Sequence, residues 1–136
     1  MSLLRNPIKR LSALLWLVAL HSLAVGAGLV WHPSSLLLQM GYDPCYEPFF
    51  PTQGGVFHIV MAVGYAMAAW NLKRNQCLAI FTMVVKTMAT IFLLLYWGLA
   101  NPLPVILASG LADGAMAILV IWAYVTWRRA DNEGES

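Results

Sequence analysis

Four side chains able to carry a charge or move a proton sit inside long apolar stretches of this chain: His21, His58, Lys86 and Asp113. A charge at the centre of a helix in hydrocarbon costs about 2.5–3.5 kcal/mol on insertion scales, so such residues turn toward a protein interior and find partners. Lys86 and Asp113 have opposite signs and make the natural pair. Two readings of it stay open: a structural lock between two helices, or a proton or ligand site built on the same charges. An imidazole titrates near neutrality and serves as acid, base or hydrogen-bond partner. His58 therefore has either one structural hydrogen bond or a role at a polar headgroup.

Depth can be counted from the ends of the apolar stretches. At a rise of about 1.5 Å per residue, His21 lies about 15 Å below Trp31, Lys86 about 16 Å below Trp97 and Asp113 about 16 Å beyond Pro102. Counted from Gly54, His58 is only about 6 Å in. Three of the four are expected in one layer, with His58 nearer a rim. A short connection makes the helices of Lys86 and Asp113 antiparallel neighbours, which predicts an intramembrane ion pair.

Periodicity adds residues to this set. Thr82, Lys86 and Thr90 recur at i, i+4 and i+8 and draw one polar stripe. Gly110, Asp113, Gly114 and Ala117 form a small-residue face that lets another backbone come close. His58 shares a face with Gly54, Met61, Ala62, Tyr65 and Ala69, which brings Tyr65 into the candidate polar site beside His21. Ser22-x-x-x-Gly26 supplies the first stretch with a close-packing face of its own.

Other chemistries lack their residues. No pair of His, Cys or carboxylate residues has metal-ligand spacing, so no metal is expected. His21 and His58 differ by about 9 Å in counted depth, too far to clamp one haem iron. There is no glycine-rich phosphate loop and no C-x-x-C pair, and no cofactor is expected. Cys45 and Cys77 fall on opposite sides of the membrane in the topology below, which forbids a bridge within one molecule.

The elements that must position these residues are four apolar stretches, about 11–31, 54–70, 77–97 and 103–127. Each is long enough to cross a hydrocarbon core of about 30 Å as a helix. With 60% hydrophobic and 10% charged residues, the composition lies outside the soluble range. The expected fold class is all-α: a polytopic membrane protein forming an antiparallel four-helix transmembrane bundle. One domain over 1–130 is followed by a disordered cytoplasmic tail at 131–136. Trp31, Trp70, Trp97 and Trp127 close the spans, where indoles favour the headgroup level. Arg5, Lys9 and Arg10, then Lys73 and Arg74, then Arg128 and Arg129 mark alternate connections, while 32–53 and 98–102 have no Lys or Arg. Both termini are therefore expected in the cytoplasm. The first stretch is too long for a cleaved signal and ends in Val30-Trp31-His32-Pro33, a poor cleavage site. The basic clusters act as retention signals beside the lipid bilayer and predict no nucleic-acid partner.

The segment 32–53 is the long connection. Pro33 stops the first helix, and a short apolar helix over 35–40 is ended by Gly41. Pro44, Pro48 and Pro51 then predict an extended path until Thr52 caps the second span. Tyr42, Tyr46, Phe49 and Phe50 could cover an apolar cavity bounded by the first two spans, with His58 in its wall; a solidly packed loop is the other reading.

The N-terminal helix, the longer outer loop closing in Gln53-Gly54-Gly55 and the short later connections resemble the small four-helix membrane proteins of the DoxX-like kind. The resemblance spans the chain, rests on architecture and carries no functional residue across; it implies a bacterial protein of the cytoplasmic (inner) membrane. The expected function is non-enzymatic: an accessory or scaffold component for a membrane protein partner, or a binder of a lipid-like ligand. The alternatives are a small membrane enzyme acting on a lipid or sterol-like substrate through His58 and Asp113, and a proton-coupled carrier, for which four short helices leave little room.

Overall fold

Two of the helices begin on proline. The computed structural model describes residues 6–31, 34–43 and 47–134, and these form α1 (Pro7–Trp31), α2 (Ser34–Gln39), α3 (Phe49–Trp70), α4 (Gln76–Leu99) and α5 (Pro104–Gly134). The described residues contain no strand. α1 and α5 both start on proline, whose fixed φ and missing N–H suit the first helical position. Asn6 Oδ1 accepts hydrogen bonds from the backbone N–H groups of Ile8 and Lys9 at 3.1 and 3.4 Å, satisfying donors that α1 leaves unpaired. After α2, Gly41 adopts φ +87°, a turn that glycine makes without strain.

Two boundaries differ from the sequence reading. α3 begins at Phe49, five residues before Gly54. Pro51 falls in its first turn, where a backbone N–H has no intrahelical partner to lose, so the proline does not block the helix. At the other end of the chain, residues 131–134 continue α5 instead of forming a disordered tail. An i,i+3 ion pair between Arg128 Nη1 and Asp131 Oδ2 (3.9 Å) supports that extension. Arg5, Pro33, Pro44, Cys45, Tyr46 and positions 135–136 lie outside the described residues.

α1 packs along α3 and α4 along α5, and contacts of α1 with α5 and of α3 with α4 join the pairs. Both long pairings are antiparallel. Ser12 reaches Ala69 while Gly26 meets Gly55, and Lys86 reaches Asp113 while Leu94 abuts Gly110. Arg10 stacks its guanidinium 4.3 Å above the Trp122 ring, so the start of α1 and the end of α5 share one end of the molecule. Lys9, Arg10, Lys73, Arg74, Arg128 and Arg129 all lie there; it is called the basic end below, and the opposite one the loop end. The apolar core fills the half nearer the basic end, with Leu11, Leu15, Val18, Tyr65, Ala68, Ala79, Val120, Ala123 and Trp127 buried.

Among the described residues, three helices are long and apolar enough to cross a membrane: Pro7–Trp31, Gln76–Leu99 and Pro104–Glu133. α3 has 22 residues, a spanning length, and carries Thr52, Gln53, His58 and several glycines and alanines; it is not among the three. Its face toward α1 explains those small residues. A β-carbon at Gly55 would lie 2.7 Å from the Gly26 carbonyl oxygen and 2.9 Å from the Val30 nitrogen, both backbone atoms that cannot swing aside. Gly55→Val should therefore lower the melting temperature in detergent, at a cost of about 1–3 kcal/mol from overpacking. Gly64→Ala, where an added β-carbon meets nothing within 4 Å, should leave it nearly unchanged.

Candidate functional site

Lys86 Nζ donates to Asp113 Oδ1 at 2.6 Å, and the two residues are only 2% and 6% exposed. Lys86 and Asp113 are thus paired in the fold. The stripe on α4 forms as its spacing implied, but the threonines serve their own helix. Thr82 Oγ1 donates to the Leu78 carbonyl at 2.8 Å and Thr90 Oγ1 to that of Lys86 at 2.7 Å. Across from them α5 presents Gly110 and Gly114, where added β-carbons would come within 3.1 Å of Leu94 Cδ2 and Thr90 Cγ2. That small face lets α5 sit close enough for Asp113 to reach the ammonium. The ring of Tyr65, on α3 and buried, has its centroid 6.0 Å from Lys86 Nζ, at the edge of cation–π range.

The two histidines stand on α1 and α3. Because α3 starts at Phe49, His58 is nine residues in, about 13 Å along the helix and not 6 Å. The counted depth gap to His21 closes: Ser22, its neighbour, touches His58 directly. Ser22 Oγ donates to the His58 carbonyl at 3.0 Å and lies 3.2 Å from His58 Nδ1. A hydroxyl has one proton to give, so satisfying both contacts places the imidazole proton on Nδ1 and leaves Nε2 as an acceptor. His21 is half-buried, and its Nδ1 has no hydrogen-bond partner among the described residues. Lys86, Asp113 and Tyr65 thus come together from three helices, while Ser22 and His58 meet across α1 and α3. No group of three or more His, Cys, Asp or Glu that could hold a metal ion occurs among the described residues.

A sizeable open space lies elsewhere. At the loop end a cavity of about 860 Å³ is bounded by Ala24, Val25, Gly28 and Leu29 of α1, by Leu37 and Met40 to Asp43, by Pro51, and by Asn101, Leu103, Val105 and Ser109. His58 is not among its lining residues, which corrects the expectation of a cavity between the first two spans. The cause is the contact of Gly26 with Gly55, which closes α1 onto α3 and leaves the opening on the side of α1 toward α5. Phe49 and Phe50 do not cover it either; they are 59% and 72% exposed and stack edge-on at 5.3 Å. Tyr42 does line it, and burial, followed by the nearby Tyr96, pushes its phenol above the usual value, so the hydroxyl stays protonated at neutral pH. Asn101 and Ser109 escaped the sequence reading because a polar residue near a helix start reads as a cap or connection. Ser22 was noticed for its spacing to Gly26, though its partner His58 was not.

If the ion pair is as isolated as its burial implies, Lys86→Met and Asp113→Leu each strand a charge, at a cost of about 3–5 kcal/mol, while the double variant leaves none. Thermal melts in detergent should show large losses for the single variants and substantial recovery in the double; strictly additive losses would show the residues to be independent. No family model, curated protein or solved structure matches this chain, and its own geometry is what points to a function.

Proposed function

We propose that this chain is a four-pass protein of the bacterial inner membrane that holds a lipid-like ligand in its loop-end cavity and performs no covalent chemistry on it. The cavity is the observation that carries the reading. Its volume, about 860 Å³, falls in the range of about 300–1,000 Å³ typical of small-molecule pockets. Its wall is mainly apolar, with Tyr42, Asp43, Asn101 and Ser109 as the polar groups able to orient a head. An amphiphile with a long apolar body and a hydrogen-bonding head fits that distribution.

Packing supports a reading of four crossings. α3 runs beside α1 from Ala69 at Ser12 to Gly55 at Gly26, so a bilayer around α1 also surrounds α3. α3 also turns Phe57, Val60, Val63 and Met67 outward, as a lipid-facing helix does. The described basic side chains other than Lys86 share one end, which supports cytoplasmic termini. The architectural resemblance to DoxX-like proteins agrees with this placement and adds no residue to it. An accessory role toward a membrane partner is compatible with the same bundle. The enzyme alternative has less support, because neither His58 nor Asp113 lines the loop-end cavity and both are held by protein partners.

Gly28 provides the test. It lines the cavity, and a β-carbon there meets nothing within 4 Å. Gly28→Leu should fill the space without disturbing the fold. Mass spectrometry of protein purified in mild detergent should find an amphiphile retained by the native chain and missing from the variant, with melting temperatures of the ligand-free proteins alike. Equal retention by both would overturn the assignment. Topology has its own test: an impermeant thiol reagent on intact cells should label Cys45 and spare Cys77, which is exposed at the basic end.

A further inference from the structure

A second cavity, about 540 Å³, opens at the basic end between the first turns of α1 and the last turn of α3. Lys9 lines it from α1 and Lys73 from the turn after α3, Asn71 adds an amide, and Trp16 and Trp70 line it as well. No acidic residue lines it. Ser12 contributes little to a ligand as a donor, because its hydroxyl proton goes to the Ala69 carbonyl at 2.6 Å, a bond that ties the two helices together beneath the groove. Lys9, Lys73 and Asn71 remain as the donors.

From these features we infer a binding site for one anionic phospholipid, with its phosphate between Lys9 and Lys73 and an acyl chain running down the groove past Trp16. The shape argues for a lipid over a soluble anion. Along α1 the lining extends from Lys9 to Trp16, about 10 Å by helical rise, so its polar and apolar parts are offset along the membrane normal. Trp70 is 82% exposed and Trp16 39%, the deeper indole being the more covered, as a headgroup-to-chain gradient requires. Arg10 is not part of the site, since its guanidinium is stacked on Trp122. Basic pockets between helices on the cytoplasmic side attract anionic headgroups by the same electrostatics. The inference rests on the membrane placement proposed above and is independent of the loop-end ligand.

Native mass spectrometry of protein released from phosphatidylcholine nanodiscs doped with phosphatidylglycerol tests it. The native chain should retain one phosphatidylglycerol in preference to phosphatidylcholine. Lys9→Gln with Lys73→Gln should lower that preference by about 30-fold, from two lysines near the surface. Arg128→Gln with Arg129→Gln should leave it intact. Ala13→Phe, which fills the groove and keeps both lysines, should abolish it. Equal losses from the two charge variants, retention by Ala13→Phe, or displacement by soluble glycerol phosphate at matched concentration would each overturn the site. Failure to enter nanodiscs at all would instead count against the membrane placement. Melting in pure phosphatidylcholine, expected to be alike for all variants, separates binding from folding.

Discussion

A single buried charge pair imposes the strictest demand on this molecule. Where water is scarce, an ammonium and a carboxylate tolerate burial only in contact with each other and with their remaining hydrogen-bond needs met. Meeting that demand settles the level of α4 against α5, because Lys86 and Asp113 must face each other to within hydrogen-bonding distance. It also dictates what surrounds them. The glycines of α5 let the backbones approach, the threonines of α4 return their protons to their own helix, and α3 contributes the face of Tyr65 where an aliphatic side chain would offer nothing polar. Few other residue choices would satisfy all of these at once.

The two ends of the bundle solve their packing differently. Near the basic end, large side chains such as Leu11, Leu15, Val120 and Trp127 interlock into a continuous core. Toward the loop end α1 is drawn against α3 by backbone contact at Gly26 and Gly55, and its opposite side is left without a partner of matching bulk. The cavity there is thus a by-product of close approach elsewhere. Glycine chemistry on one side of a helix creates space on the other.

What could be read from the residues depended on how clearly helix ends were marked. Lys86 and Asp113 could be matched in depth because Trp97 and Pro102 bracket a tight turn, leaving little freedom in the count. His58 was misplaced by about one and a half turns through an error at one boundary, where Pro51 looked like a helix breaker and is in fact a first-turn residue. With the true start, the same arithmetic puts His58 in the layer of the other three. The position of the cavity was not legible in the same way. It depends on which flank of α1 closes onto α3, a three-dimensional fact that helical periodicity names only as "small residues here". The polar tail misled for another reason: charge composition suggested disorder, whereas Arg128 and Asp131 sit at helical spacing and pair.

The continuation of α5 has a mechanical meaning. Its 31 residues span about 46 Å, against a hydrocarbon thickness of about 30 Å, so roughly three turns stand clear of the lipid. A helix is a stiff rod compared with a Gly/Ser tether. A dye fixed to Glu133 would consequently turn with the embedded body and not tumble on its own. The polarisation of its emission would report the tilt of α5 in the bilayer.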